Sequence, residues 1–189
     1  MKILPNEIAF DIDGVFADTF RVFVEKAREE YGYQFDYEDI TEYDFTTVVD
    51  IDQNAREAII HSLIAYPIRS GIKPIAGAVE FLTRLSLVGP LVFVTARPDR
   101  DPILGWIQHQ LPQVDGDLIH LEVTHTYQNK PSILQDKGVR YFVEDRLETC
   151  YLLQEYAITP IVFDQPWNRK NHPFLVVKNW EDISVMIGW

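Results

Sequence analysis

The sequence predicts an α/β protein with a mostly parallel, Rossmann-like sheet that is flanked by helices. Short runs of β-branched and aromatic residues, which are typical of buried strands, alternate along the chain with segments of helical periodicity. This alternation indicates βαβ units, and such units build a parallel sheet that is covered on both faces. The predicted strands are residues 8–10, 91–94, 118–123, 141–143 and 161–163.

Helical periodicity is clearest in the segment that follows Pro74. There, Ile75, Val79, Leu82 and Leu85 are spaced so that they fall on one face of a helix. Shorter apolar stripes predict further helices between the later strands. These helices are predicted around residues 103–107, 132–137 and 147–156.

The interval 16–73 interrupts the alternation of strands and helices. It contains no convincing strand, and a polar, aromatic stretch at 37–52 separates two helical stripes. We interpret it as a small helical cap domain, residues 16–73, that is inserted after the first strand into a core domain of residues 1–15 and 74–189. The stripes are Phe20, Phe23, Val24, Ala27 and Tyr31, then Ala55, Ile59, Ile60, Leu63 and Ile64.

Composition and charge exclude several classes of partner. The 189 residues are 47% hydrophobic and 24% charged, as expected of a soluble globular protein, and no apolar run is long enough for a membrane span. The single cysteine, Cys150, excludes an internal disulfide and suits a reducing compartment, so a cytoplasmic location is expected. A net charge of −12 repels polyanions, so duplex nucleic acid and anionic membranes are not expected as partners.

Two carboxylates and a glycine follow the first predicted strand. Asp11 and Asp13 are two residues apart, and Gly14 can adopt an unusual turn. Ligands of open α/β sheets bind beyond the carboxyl ends of the strands, so these acids are candidates for chemistry. The alternative is a solvated turn, because calcium loops and ordinary turns use the same Asp-x-Asp-Gly pattern.

Two further segments offer groups that could bind an anion. Thr95 ends the second predicted strand with a hydroxyl, and the following backbone N–H groups can point toward an anion. Lys130 opens a predicted helix, where its charge opposes the helix dipole unless an anion is bound nearby. The alternatives are an ordinary threonine N-cap and an ordinary surface lysine.

Two adjacent acids, Glu144 and Asp145, end another apolar strand. If they lie near Asp11 and Asp13, the carboxylates repel one another unless a cation is bound among them. Magnesium fits this role because it prefers hard oxygen ligands and bridges to substrate phosphate. The alternative is a helix start, where acidic side chains favour the dipole.

Asp11, Thr95, Lys130 and the pair Glu144–Asp145 occur in an order that resembles the four motifs of the haloacid-dehalogenase-like phosphatases. The resemblance covers residues 8–145. It implies that Asp11 is a nucleophile that forms an aspartyl-phosphate, and that Asp13 is the general acid and base. It also implies that Thr95, the N–H of Ala96 and Lys130 hold the phosphoryl oxygens.

The same resemblance implies a Mg²⁺ cofactor and a cap over the site. The expected metal ligands are Asp11, the main-chain carbonyl of Asp13 and Asp145, with Glu144 supporting that shell. The segment 16–73 matches the position of the cap that one branch of the superfamily carries, and such a cap excludes water and contacts the substrate.

A narrower resemblance points to the 5′(3′)-deoxyribonucleotidase family. It is carried by residues 11–18, 144–146, 163–169 and 179–183, although Ala96 replaces a frequent serine and Thr19 replaces a stacking aromatic. A nucleoside monophosphate is therefore the expected small phosphorylated substrate. The candidate substrate contacts are Phe16, Phe20, Phe45 and Arg97, with Tyr43 as a further aromatic.

The sequence is also compatible with two alternative functions. The first is a phosphatase or phosphotransferase that uses the same aspartate on another small phosphorylated metabolite. The second is a nucleotide-binding regulatory module that keeps the fold without turnover.

Overall fold

A computed structural model describes residues 2–189 and shows the predicted α/β fold. The strands are β1 (Ile8–Phe10), β2 (Leu91–Thr95), β3 (Ile119–Val123), β4 (Tyr141–Glu144), β5 (Thr159–Phe163) and β6 (Leu175–Val177). They form one parallel sheet in the order β3-β2-β1-β4-β5-β6. Because β2 and β4 pair with opposite edges of β1, successive strands are added first on one side of β1 and then on the other. A ligand crevice is expected at that switch point.

Seven α-helices accompany the sheet in the described part of the chain. They are α1 (Thr19–Tyr31), α2 (Gln53–Ala65), α3 (Ala78–Ser86), α4 (Arg100–Gln110), α5 (Lys130–Asp136), α6 (Leu147–Glu155) and α7 (Trp180–Ile187). The five predicted strands and the predicted helices are confirmed, with ends that differ by a few residues.

The sequence interpretation missed two features of the fold. Strand β6 was not predicted, because it has three residues of which Leu175 and Val176 are exposed, so it carries neither a buried run nor a clear alternation. The apolar face assigned to α3 is wrong at Val79, which is exposed. The helix buries Phe81 instead, together with Leu82.

Two buried tryptophans hold the two ends of residues 16–73, the segment between β1 and α3 that is called the insert below. The indole of Trp180 packs against Phe10 at 5.2 Å between ring centroids, and its N–H donates to the carbonyl of Val15 at 3.2 Å. The indole N–H of Trp106 donates to the carbonyl of Ile72 at 2.9 Å. Both ends of the insert are therefore tied to the interior of the core.

The two ends of the insert also lie side by side. The N–H of Asp18 donates to the carbonyl of Lys73 at 2.9 Å, and the N–H of Ile75 donates to the carbonyl of Phe16 at 2.8 Å. Helices α1 and α2 pack together, and their buried apolar residues continue the main hydrophobic cluster of the core. The insert is thus seated on the core by apolar burial as well as by hydrogen bonds.

Candidate active site

A cavity of about 270 Å³ lies where the carboxyl ends of β1 and β2 meet the insert. Its polar wall comes from the core and includes Asp11, Asp13, Thr95, Arg97, Lys130 and Arg146. Its apolar wall comes mainly from the insert and includes Phe20, Phe23, Tyr43, Phe45, Ile60, Leu63 and Ile64. The parallel sheet therefore brings together side chains that are far apart in the sequence.

Asp11 and Lys130 form the centre of the polar wall. The ammonium of Lys130 lies 3.1 Å from Asp11 Oδ1 and donates to Glu144 Oε2 at 2.8 Å. All three side chains are almost fully buried. Burial raises the pKa of Asp11 well above its ordinary value, with Lys130 opposing the shift and Glu144 adding to it.

Asp145 contributes a buried carboxylate oxygen that has no hydrogen-bond partner among the described residues. Its Oδ2 accepts from the indole N–H of Trp167 at 3.1 Å, whereas its Oδ1 is unpaired. One carboxylate oxygen from each of Asp11, Glu144 and Asp145 lies within 4.8 Å of the others. An unpaired buried oxygen is costly, and a divalent cation would satisfy it, so this donor set fits Mg²⁺.

Both carboxylate oxygens of Glu144 are already occupied. Its Oε1 accepts from the backbone N–H groups of Asp145 at 3.0 Å and Arg146 at 3.1 Å, while its Oε2 accepts from Lys130. Although burial alone would raise the pKa of Glu144, the Lys130 charge and these donors lower it. Glu144 therefore contacts both the lysine and the backbone of the Asp145 loop.

Gly14 is required for the approach of Asp145 to the loop after β1. It has a φ of +75°, and a Cβ at this position would lie 2.1 Å from Asp145 Oδ2. Any other L-residue would be strained in its backbone and would displace the carboxylate. The glycine of the Asp-x-Asp-Gly pattern thus makes room for the acid of a different strand.

The carboxylate of Asp13 is held by three donors. Arg97 donates from Nε to Oδ2 at 2.8 Å and from Nη2 to Oδ1 at 2.7 Å, and the hydroxyl of Thr19 donates to Oδ1 at 2.5 Å. Burial by itself would raise the pKa of Asp13, but the charge and hydrogen bonds of Arg97 and the Thr19 hydroxyl lower it below its ordinary value. These contacts therefore favour the ionised form of Asp13.

Thr95 and Ala96 line the cavity beside Asp11. The Thr95 hydroxyl oxygen accepts from the N–H of Arg97 at 3.2 Å, and the Thr95 carbonyl accepts from the N–H of Thr124 at 2.8 Å. Since the hydroxyl oxygen accepts from the protein here, its own proton is available to an anion in the cavity. This arrangement is compatible with the expected phosphate-binding role.

The aromatic candidates from the insert divide into two groups. Phe20 and Phe45 line the cavity, as does Tyr43. Phe16 is a correction to the expected substrate contacts. Its ring is fully buried in the core, where it stacks on Phe93 at 5.6 Å and packs against Trp106 at 4.9 Å. The apolar residues right after β1 are needed to close the core, so they are not available to a ligand.

Sequence reasoning did not assign roles to several residues that shape the site. Arg146 is clamped between two rings of the cavity region, with its guanidinium 4.5 Å from the Tyr43 centroid and 4.0 Å from the Tyr127 centroid. The amide of Asn168 donates to the Asp145 carbonyl at 2.8 Å, beside the Trp167 contact. The available signal was the likeness of residues 144–146 and 163–169 to the deoxyribonucleotidase family.

The chain is similar to known proteins in sequence and in fold. A family model described as "5′ nucleotidase, deoxy (Pyrimidine), cytosolic type C protein" matches residues 6–188. No curated protein sequence matches the chain.

None of the helices within residues 2–189 combines the length and apolar character that crossing a bilayer requires.

Several solved structures share the fold at low sequence identity. A haloacid-dehalogenase-superfamily hydrolase from Ehrlichia chaffeensis is 16% identical, with a TM-score of 0.56 over 99% of this chain and 97% of that one. A haloacid-dehalogenase-like hydrolase from Streptococcus pneumoniae is 16% identical, with a TM-score of 0.58 over 94% and 96%. CbbY from Rhodobacter sphaeroides, solved in complex with phosphate, is 12% identical, with a TM-score of 0.55 over 96% and 98%.

Proposed function

The chain belongs to the family of cytosolic type C deoxy (pyrimidine) 5′ nucleotidases and is a phosphatase of the haloacid-dehalogenase-like superfamily, and on this premise we propose that it hydrolyses nucleoside monophosphates by using Asp11 and Mg²⁺. The observation that carries the proposal is the meeting of Asp11, Lys130 and the unpaired Oδ1 of Asp145 at one crevice. A cytosolic location is part of the same proposal.

Asp11 is the proposed nucleophile. Its carboxylate attacks the phosphorus atom, the bond from phosphorus to the substrate oxygen breaks, and an aspartyl-phosphate forms on Asp11. Lys130, the Thr95 hydroxyl and the Ala96 N–H hold the phosphoryl oxygens. Since Lys130 also lies 3.1 Å from Asp11, one ammonium orients the nucleophile and the group that it attacks.

The proposed Mg²⁺ ligands are the carboxylates of Asp11 and Asp145 and the main-chain carbonyl of Asp13. When bound, the cation offsets the repulsion between the phosphate dianion and the carboxylate that attacks it. The protein holds Asp145 for this role through the Trp167 N–H on one oxygen and leaves the other oxygen unpaired.

Asp13 is the proposed general acid and base. Its ionised form, which Arg97 favours, can take a proton from the water that hydrolyses the aspartyl-phosphate. Its protonated form is needed to donate to the leaving alkoxide in the first step. The negative charge of a bound phosphate favours that protonation, because like charges raise the pKa of a carboxyl group.

The 16–73 segment is the proposed cap, and its aromatic side chains are the proposed contacts for the nucleoside. Phe20, Tyr43 and Phe45 lie together on the apolar side of the cavity, with Phe20 at 6.0 Å from Tyr43 and at 6.2 Å from Phe45. Flat aromatic faces suit a base, and this apolar wall also excludes water from the reacting groups.

A second candidate is a phosphatase for another small phosphorylated metabolite. The observation that favours it concerns Thr19, which stands where the deoxyribonucleotidase family has a stacking aromatic. The Thr19 hydroxyl donates to Asp13, so this position offers no ring to a base. A rate preference for sugar phosphates over nucleotides would support this candidate.

The test is hydrolysis of a panel of nucleoside monophosphates, sugar phosphates and p-nitrophenyl phosphate with and without Mg²⁺. We expect nucleotides to be the best substrates, and we expect Asp11→Asn to lose at least about 10³-fold in kcat because the nucleophile is absent. Asp164→Asn is the matched control, because Asp164 is partly exposed, does not line the cavity and pairs with Arg169. Hydrolysis without metal, or an active Asp11→Asn protein, would overturn the proposal.

A further inference from the structure

Arg97 lies on the cavity wall, but its side chain is only 5% exposed because it joins separate parts of the fold. Two of its nitrogens contact the two carboxylate oxygens of Asp13 at 2.8 and 2.7 Å. This forked contact fixes the direction in which the carboxylate points, which a single hydrogen bond does not do.

The third guanidinium nitrogen reaches the insert. Nη1 donates to the carbonyl of Leu63 at 3.1 Å, in the last turn of α2. In a continuing helix this carbonyl would accept from the residue four positions later, but that residue is Pro67, which has no N–H. Arg97 therefore supplies a missing donor, and its positive charge is favourable at the carboxyl end of a helix.

The other helix of the insert reaches the same carboxylate directly. Thr19 is the first residue of α1, and its hydroxyl donates to Asp13 Oδ1 at 2.5 Å. Asp13 is thus held by α1 through Thr19 and by α2 through Arg97. Its orientation depends on where the insert sits.

We propose that Arg97 is a positioning residue that makes acid catalysis by Asp13 depend on the seating of helix α2. The inference rests on the proposed function, because it requires Asp13 to be the acid. A lysine cannot replace the arginine, since one ammonium cannot hold both carboxylate oxygens in a planar fork and also reach the Leu63 carbonyl.

Alkyl and aryl phosphate esters distinguish a positioning role of Arg97 from a merely structural one. An alkoxide leaving group, as in a nucleotide, needs a proton from the acid, whereas p-nitrophenolate leaves without one. The ratio kcat/KM reports the steps up to leaving-group departure, so the general base of the second step does not affect it. Misplacing Asp13 should therefore harm the nucleotide reaction more than the aryl ester reaction.

The experiment measures kcat/KM of Arg97→Gln and Arg97→Lys for a deoxynucleoside 5′-monophosphate and for p-nitrophenyl phosphate. We expect the loss for the nucleotide to exceed the loss for the aryl ester by about 10- to 100-fold in both variants. General-acid catalysis contributes about 10²- to 10⁴-fold, and each substitution should remove part of it. Because both esters are measured on one preparation, a partly unfolded sample leaves this ratio unchanged. Arg100→Gln is the control, since Arg100 is exposed and forms no ion pair among residues 2–189.

A double variant tests whether Arg97 acts through Asp13. In the Asp13→Asn background, Arg97→Gln should reduce the nucleotide kcat/KM by less than about 3-fold further, because the group that it positions is already disabled. Equal losses for the two esters, or additive losses in the double variant, would overturn the inference while leaving the proposed function intact. An active Asp11→Asn protein would instead overturn the proposed function itself.

Discussion

At the scale of single residues, the site depends on how closely groups from neighbouring strands approach. Asp11 is fixed by its own backbone, since its N–H donates to the Val143 carbonyl of β4 at 2.9 Å. Asp145 follows Val143 by two residues, and its Oδ2 occupies the space that a side chain at Gly14 would fill. The relative position of the two proposed metal ligands is therefore set by the pairing of β1 with β4.

Replacing Gly14 by alanine tests this close approach. We expect Gly14→Ala to lower the free energy of unfolding by about 1–3 kcal/mol for the positive φ alone, with a further loss from the contact with Asp145. We also expect weaker Mg²⁺ binding, because Oδ2 must move. Denaturant unfolding and titration with Mg²⁺ measure the two effects.

Gly105→Ala is the control for this substitution. Gly105 lies within α4, and an added Cβ would meet nothing within 4 Å. Alanine in a helix interior should stabilise the protein by about 0.5–1 kcal/mol and leave Mg²⁺ binding unchanged. A Gly14→Ala protein that binds Mg²⁺ as tightly as the parent would contradict the account.

At the scale of elements, helix α7 supports the loop that carries the proposed catalytic acids. It begins at Trp180, which packs on Phe10 and Phe81 and donates to the Val15 carbonyl. The side chain of Asn179 caps this helix by accepting from the N–H of Asp182 at 2.9 Å. A C-terminal helix therefore braces the turn that follows the first strand.

Removal of this cap should reduce stability without altering the chemistry. We expect Asn179→Ala to lower the free energy of unfolding by about 1 kcal/mol, because the orphan N–H loses its acceptor. Asn179→Asp keeps an acceptor and should recover most of that loss. Denaturant unfolding measures the stability of both variants, and steady-state kinetics checks that the chemistry is unaltered. An unchanged unfolding midpoint in Asn179→Ala would show that the cap contributes nothing.

The elements were more predictable from the sequence than the contacts between them. Buried parallel strands such as β2 and β4 give continuous apolar runs, so their ends, and with them Thr95 and Glu144, could be located. The short, half-exposed β6 gives no such signal. The tertiary partners of Asp13 could not be found, because the Arg97 contact spans 84 positions and depends on the packing of α2.

At the scale of the whole molecule, the protein buries acids at one crevice while carrying a net charge of −12. In the metal-free protein, burial raises the pKa of Asp11 above its ordinary value, and burial with Glu144 and Asp11 raises the pKa of Asp145. Above about pH 4, where these acids ionise in the unfolded chain, the folded protein binds the extra protons. Its stability therefore falls as the pH rises toward the raised pKa values.

Mg²⁺ should counteract this loss of stability. Because the cation binds the ionised carboxylates, we expect the stabilisation by Mg²⁺ to grow as the pH rises above about 4, reaching roughly 2.7 kcal/mol at 100 times the Kd. Thermal melts with and without Mg²⁺ across this range measure the effect. Asp145→Asn removes one titrating ligand and should flatten the response, and a Mg²⁺ effect that is equal at all pH values would contradict the prediction.

The most direct test of the account is capture of the phosphate on Asp11. With p-nitrophenyl phosphate and Mg²⁺, Asp13→Asn should form the phosphoenzyme but hydrolyse it slowly, because the aryl leaving group needs no acid whereas the second step lacks its base. Acid quenching followed by peptide mass spectrometry should then locate a phosphoryl group on Asp11 and none in Asp11→Asn/Asp13→Asn. Release of p-nitrophenolate with no phosphorylated protein, or a phosphoryl group on another residue, would contradict the account.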